Sequence, residues 1–219
     1  MTVSMIVVVH NEHERIHDFL RRHAPLVDEV VFVDQASTDG TLELGVIALG
    51  DYAKSFTTLR HPCLGFSEAS NPAALMACTK EWVLTLFPDE QLTPEFIGQF
   101  RDLIADPNVD GYWLQRDSWI GGRLWLGGEH CMRLVRRHCM QVVPYVHNDP
   151  ICGTSRKAML GFTCIVHDKT MEEQHADNVR YQGLKTQGGV APVIPCAKCQ
   201  NAFALGEQDS NGPVCRDCV

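Results

Sequence analysis

Several familiar signatures are missing from this 219-residue chain, and each absence narrows its function. No apolar run approaches the length needed to cross a membrane, and Met5 to Val9 is too short for the core of a signal peptide, so a cytoplasmic protein with no transmembrane segment is expected. Excess positive charge is lacking. The formal net charge is -8, which argues against a dedicated polyanion binder while leaving room for a local basic patch. Neither a G-x-G-x-x-G turn nor a P-loop occurs, which removes the standard dinucleotide and NTPase arrangements. Internal repeats and low-complexity tracts are absent too.

What remains is ordinary globular composition, enough for one domain and a small appendage. The apolar runs Met5 to Val9, Val30 to Val33 and Trp82 to Phe87 read as strands buried on both faces, and Ser55 to Leu59 as a third strand in chain order. Helical stripes fall between them. Ile16, Phe19 and Leu20 share one face, with Asn11 as cap and Glu14 reaching back. Leu42 to Leu49 follows Thr41, and Phe66 to Thr79 is helical with Pro72 near its first turn. Thr93 and Pro94 start a helix whose stripe is Phe96, Ile97, Phe100, Leu103 and Ile104. Short strands are expected at Tyr112 to Gln115, Cys131 to Val135, Gln141 to Val146 and Phe162 to Val166. Thr170 and Glu173 form a capping box for a last helix reaching about Leu184, and Gly183 to Pro195 reads as a linker. Strand, helix and strand in this order imply an α/β fold with a mostly parallel sheet.

Polar residues collect where these strands end: His10, Asn11 and Glu12, then Asp34, Ser37 and Asp39, then Asp89 and Glu90. Open α/β sheets bind ligands outside the carboxyl ends of their strands. Taken alone, Asp34 to Gly40 reads equally well as a turn and helix cap.

Together the segments V-V-H-N-E, V-D-Q-A-S-T-D-G-T and W-V-L-T-L-F-P-D-E-Q-L-T-P-E resemble glycosyltransferase family 2, which has the GT-A fold. M-R-L-V-R-R, Y-V-H-N-D and I-V-H-D resemble its lipopolysaccharide-core glucosyltransferase branch, and the likeness runs over roughly residues 3 to 184. The resemblance implies an inverting transfer from a nucleotide-diphosphate sugar, with a UDP-sugar the expected donor, to a glycan or other polymer acceptor. By the same resemblance Asp34 and Asp39 hold uracil and ribose, His10, Asn11 and Glu12 flank the nucleotide, and Ser37 belongs with them. Asp89 matches the last acid of a D-x-D motif that binds Mg²⁺ or Mn²⁺, with His167 completing the site and Glu90 assisting. Asp149 is the candidate base and Glu129 the alternative. Arg133, Arg136 and Arg137 either grip phosphate or decorate a strand and turn. One position departs from the pattern: Phe87 stands where the family has an acid, and a phenyl ring binds neither metal nor ribose. A weakened domain kept for binding or scaffolding, or an enzyme that glycosylates a nucleic acid base, are the competing expectations.

Ten cysteines divide into two groups. Cys63, Cys78, Cys131, Cys139, Cys152 and Cys164 are scattered and read as reduced, packed thiols. Cys196, Cys199, Cys215 and Cys218 form two C-x-x-C knuckles whose spacing matches a closed, structural Zn²⁺ site. The expected organisation is a transferase domain over 1–185, a linker over 186–194 and a zinc ribbon over 195–219. Glu207, Asp209 and Asp217 outnumber Lys198 and Arg216 there, which makes protein docking or self-association at least as good an expectation as nucleic acid.

Overall fold

The computed structural model describes residues 1–144, 148–186, 193–195 and 202–204, with side chains described as far as residue 179. Strand β1 (Val3–Val9) is buried along its whole length. Its odd-numbered residues pack with Ile16, Phe19 and Leu20 of helix α1 (His13–His23). Its even-numbered residues Ile6 and Val8 face the opposite core layer, with Val31, Val33 and Ala74. This period-two division is why an unbroken apolar run, rather than an alternating one, marks the strand.

The same logic gives β2 (Glu29–Asp34), parallel to β1, and β3 (Phe56–Arg60), parallel to β2, with α2 (Thr41–Tyr52) between them. Helix α3 (Asn71–Ala77) carries Pro72 in its first turn and is preceded by a 3₁₀ turn, so the helix expected from Phe66 is shorter than its sequence pattern. Strand β4 (Trp82–Thr85) joins β1 in parallel and gives way at Leu86 to the turn carrying Asp89. Trp82 is fully buried, donates from Nε1 to the Ile104 carbonyl at 3.1 Å and stacks on Tyr112.

Strand β5 (Glu90–Leu92) leads into α4 (Pro94–Ala105), where Thr93 accepts the Phe96 N–H at 3.2 Å as expected of its cap. Strands β6 (Gly111–Ile120) and β7 (Arg123–Arg136) are much longer than the short segments expected, because they form one hairpin turned at Gly121 and Gly122, both at positive φ. The strand expected over Gln141 to Val146 is reduced to β8 (Met140–Gln141), which pairs with β9 (Ile151–Cys152); residues 145–147 lie outside the described residues. Strand β10 (Lys157–Lys169) runs parallel to β6 and antiparallel to β5. The capping box is realised in both directions: Thr170 N–H donates to Glu173 at 2.7 Å and Glu173 N–H to Thr170 at 3.2 Å. Helix α5 (Met171–Thr186) therefore extends slightly into the stretch expected to be a linker. Beyond it, β11 (Val193–Pro195) pairs antiparallel with β12 (Ala202–Ala204). Cys196, Cys199, Cys215 and Cys218 lie outside the described residues.

The resulting eight-stranded sheet has the order β3-β2-β1-β4-β7-β6-β10-β5. It is mixed, with a parallel half at β3-β2-β1-β4 and antiparallel pairings at β4-β7, β7-β6 and β10-β5. The six cysteines of the body are free thiols. No described helix is long and apolar enough to cross a membrane.

Candidate active site

The carboxyl ends of β1, β2 and β4 open on a cleft of about 820 Å³. Its floor is fixed by two loops that latch together. The chain leaves β1 in a left-handed turn at Asn11 (φ 57), a conformation that Asn tolerates better than most residues. That turn frees the Asn11 side chain, whose Oδ1 accepts the Thr38 N–H at 2.9 Å. Asn11 N–H donates to Ser37 Oγ at 3.0 Å, Glu12 N–H to Thr41 Oγ1 at 2.8 Å and His13 N–H to Asp39 at 3.2 Å. His10 Nδ1 lies 2.7 Å from the Gln35 carbonyl. Asn11 thus does not cap α1 as expected. Glu12 holds the cap position one residue later, the Asn11 side chain is taken by Thr38, and the His13 N–H of the first turn is met by Asp39 instead.

Asp39 carries a double duty, since its other oxygen accepts the Thr41 N–H at 3.0 Å. Burial alone would raise its pKa, but the bonds from Thr41 and the His13 backbone outweigh it and hold the carboxyl below its usual range. Asp34 is buried at the end of β2 and accepts the Ser37 N–H at 3.2 Å, and neither it nor Ser37 lines the cleft. Of the β2-end residues named from sequence, only Asp39 lines the cleft. Gln35, passed over in the sequence, does so too, and its amide donates to Ser70 Oγ at 2.7 Å and to the Phe66 carbonyl at 3.0 Å, tying in the 63–71 wall.

Asp89 lines the cleft just beyond β4. His167 Nε2 lies 3.1 Å and Lys169 Nζ 3.2 Å from the same carboxylate oxygen. Burial would raise its pKa, but the hydrogen bonds from His167 and Lys169 and the Lys169 charge outweigh it, so Asp89 is held ionised well below the usual carboxylate range. Glu12, also in the lining, is pushed up to about 7, first by burial and then by the charge of Asp89. Lys169 bridges on to Asp177 of α5 at 2.6 Å, and Arg15 pairs with Glu173, so the first turns of α5 roof the cleft.

The donor chemistry suits a divalent cation held by few protein ligands. Asp89 offers a hard oxygen, and His167 Nδ1 lies 3.2 Å from Ser118 Oγ. An ion arriving beside Asp89 would take the place of the Nε2 proton, with Ser118 steadying the ring at Nδ1. Among the described residues no cluster of three or more His, Cys, Asp or Glu is spaced for an ion, so water and ligand oxygens would complete the shell, as Mg²⁺ readily accepts. Glu90 is not available for that role, contrary to expectation. It is fully buried, pairs with Arg116 at 3.0 Å and Arg133 at 3.2 Å, and accepts the Phe87 N–H at 3.1 Å.

On the opposite wall, Arg133 lies over the Phe87 ring, its guanidinium carbon 4.9 Å from the centroid, and reaches Asp149 at 3.3 Å. Burial raises the Asp149 pKa despite the lowering influence of Arg133, the Met132 backbone and Arg116. Glu129 is tied to Arg116 by two bonds, 3.1 and 2.6 Å long. Arg136 does not belong to the site. Three residues beyond Arg133 on one strand, it lies over Trp82 and bonds the carbonyls of Val109 and Asp106. An odd spacing on a strand places two side chains on opposite faces. Arg116 and Lys169 were missed. Lys169 was recoverable from period two, since it shares a strand face with His167; Arg116 arrives through the unexpected length of the β6–β7 hairpin.

A mixed, mostly parallel sheet flanked by helices, with acidic and basic groups gathered at its strand ends, defines a GT-A type of domain. The comparisons agree. Residues 4–159 match the family model "Glycosyl transferase family 2", so the chain belongs to that family, the class expected from its motifs. An uncharacterized glycosyltransferase of Rickettsia typhi is 32% identical over 110 residues, half of this chain but only 35% of the relative. A Rickettsia felis counterpart is 28% identical over the same length, 36% of its own chain. The chain thus matches about a third of the length of these relatives. In fold it is similar to S. aureus TarS 1–349 in complex with UDP-GlcNAc, with TM-score 0.61 and 18% identity over 77% of this chain and 59% of that one. The UDP complex of the same TarS piece gives TM-score 0.52 and 15% identity, over 81% and 63% of the two chains.

Proposed function

We propose that this chain transfers a sugar, with inversion, from a nucleotide-diphosphate donor, UDP-linked by preference, to a hydroxyl of a glycan or other polymer. The observation that carries this reading is the meeting of Glu12, Asp39, Asp89, His167 and Lys169 in one cleft at the strand ends of a family 2 domain. His10, Asn11 and Asp39 stand on the side where the nucleoside would rest. The acceptor hydroxyl attacks the anomeric carbon, its oxygen forms the new glycosidic bond, and the bond to the diphosphate breaks. Asp149 takes the hydroxyl proton. It is preferred to Glu129 because burial raises its basicity and it makes one longer contact to Arg133, whereas Glu129 is held by two bonds to Arg116. Lys169, beside Asp89, would face the negative charge gathering on the departing diphosphate. A bound Mg²⁺ or Mn²⁺, held by Asp89 and His167, would neutralise that charge further.

The four tail cysteines are proposed to hold one structural Zn²⁺, whose binding would supply the folding energy that the few apolar residues there do not. Their role would be docking, to protein in preference to nucleic acid, and the protein is placed in the cytoplasm. A second reading, a domain retained to bind a nucleotide sugar without turning it over, is favoured by Phe87 alone. Screening a panel of nucleotide sugars for hydrolysis separates the two. Turnover of one donor, abolished by Asp149→Asn, supports transfer; binding without turnover supports the second reading; neither binding nor turnover would refute both.

A further inference from the structure

The turn that carries Asp89 offers Arg133 two contacts at once. The Phe87 ring lies beneath its guanidinium at 4.9 Å, and Glu90 pairs with its Nη2 at 3.2 Å. Glu90 is itself immobilised by the Phe87 N–H at 3.1 Å and by Arg116 at 3.0 Å, so ring and carboxylate form one rigid seat. The other end of the guanidinium, Nη1, projects to Asp149 at 3.3 Å, and only 6% of the Arg133 side chain is exposed. A planar cation resting on a ring and bonded at both ends of its fork is restricted in orientation.

We propose that Phe87 is a positioning residue: it seats Arg133 so that the guanidinium is committed to Asp149 and orients that carboxylate in the cleft. The inference rests on Asp149 being the base. An acid at position 87 would stand beside the same guanidinium, compete with Asp149 for its N–H groups and crowd the buried Glu90 carboxylate. A phenyl ring attracts the cation without taking a hydrogen bond from it. The departure from the family pattern is thus matched by a compensating arrangement on the facing strand, Phe87 against Arg133, rather than being a bare loss.

Among the described residues, the charged and titratable groups facing Asp149 are Arg133 and Cys131 from β7, Arg116 from β6 and Glu90 from β5. Of these, Arg133 is the cation in direct contact, so its diversion should be read out at Asp149. The test is a ¹³C NMR titration of the Asp149 carboxyl, assigned with Asp149→Asn, together with UDP calorimetry with and without Mn²⁺. Phe87→Asp should move the Asp149 midpoint up by about one pH unit, while Phe87→Tyr, which keeps the ring face, leaves it in place. Should Phe87→Asp fail to fold, Phe87→Leu is expected to move the midpoint in the same direction by about half as much. A flat response to both Phe87→Asp and Phe87→Leu would overturn the proposal, as would a tenfold tightening of Mn²⁺-dependent UDP binding in Phe87→Asp. If the unsubstituted chain binds no UDP yet shows the titration pattern, the transferase reading falls and the seating of Arg133 stands. If it binds UDP and the titration is flat, the seating of Arg133 falls and the transferase reading stands.

Discussion

Lowering the pH from 7 to 5 should cost this fold about 2 kcal/mol through one side chain, His23. The ring is buried at the end of α1, 2% exposed. Nδ1 lies 2.9 Å from the Phe19 carbonyl and Nε2 lies 3.3 Å from the Leu92 backbone N–H. The first nitrogen must donate and the second must accept, so the bonding pattern admits only the neutral ring. Burial, the largest cause, pushes its pKa down from 6.5 to about 4. A group whose folded pKa is depressed contributes fully above its unfolded pKa and loses that contribution as the pH falls toward the folded value. The window is therefore about pH 6.5 to 4. At about 1.4 kcal/mol per unit the whole effect is about 3.5 kcal/mol, of which about 2 kcal/mol falls between pH 7 and 5. The consequence reaches the site, because Leu92 lies on β5 with Glu90. Urea unfolding at both pH values, for the unsubstituted chain and for His23→Gln, isolates this contribution from other titrating groups. His23→Gln should be less stable at pH 7 but should lose about 2 kcal/mol less on acidification. Parallel losses in the two proteins would show that His23 is not the group responsible.

The other predictions concern the cleft and the tail. Asp149→Asn should lower transfer or hydrolysis about 10²- to 10⁴-fold with little change in KM for the donor, whereas Glu129→Gln should fall much less; the reverse order would make Glu129 the base. Gly40→Ala should destabilise the fold by about 1–2 kcal/mol and weaken UDP binding, because Gly40 sits at φ 88 and an added Cβ would stand 3.3 Å from His13 Nδ1, in the turn held by Asp39; unchanged denaturation would count against it. The purified chain should carry one Zn²⁺ released by thiol-specific reagents, and Cys199→Ser should lose it; metal-free protein with four titratable tail thiols would contradict the ribbon.

How much of this could be read in advance depended on whether the deciding interactions were local. The strands β1, β2 and β4 announced themselves because burial on both faces demands unbroken apolar runs, and Thr170 with Glu173 announced α5 because a capping box closes within four residues. Asn11 misled because its partner, Thr38, comes from another loop, so a cap-like residue was spent on joining two strand ends. Glu90 and Arg136 misled for related reasons. An acid beside Asp89 reads as a second ligand until two arginines from β6 and β7 are seen to claim it. An arginine near Arg133 reads as part of a basic cluster until the pleat sends it to the other face, over Trp82. The length of the β6–β7 hairpin, which delivers Arg116, was hidden because its residues mix polar and apolar types where the strands leave the core.

Everything proposed for the cleft requires that groups from separate strand ends, with Asp89 at their centre, form one sugar-nucleotide site. The decisive measurement is a calorimetric titration of UDP into the unsubstituted chain and into Asp89→Asn, each with and without Mn²⁺. Such a site should bind UDP at least tenfold more tightly when Mn²⁺ is present, with that increment gone in Asp89→Asn. UDP binding that is absent, or identical in all four titrations, would contradict it.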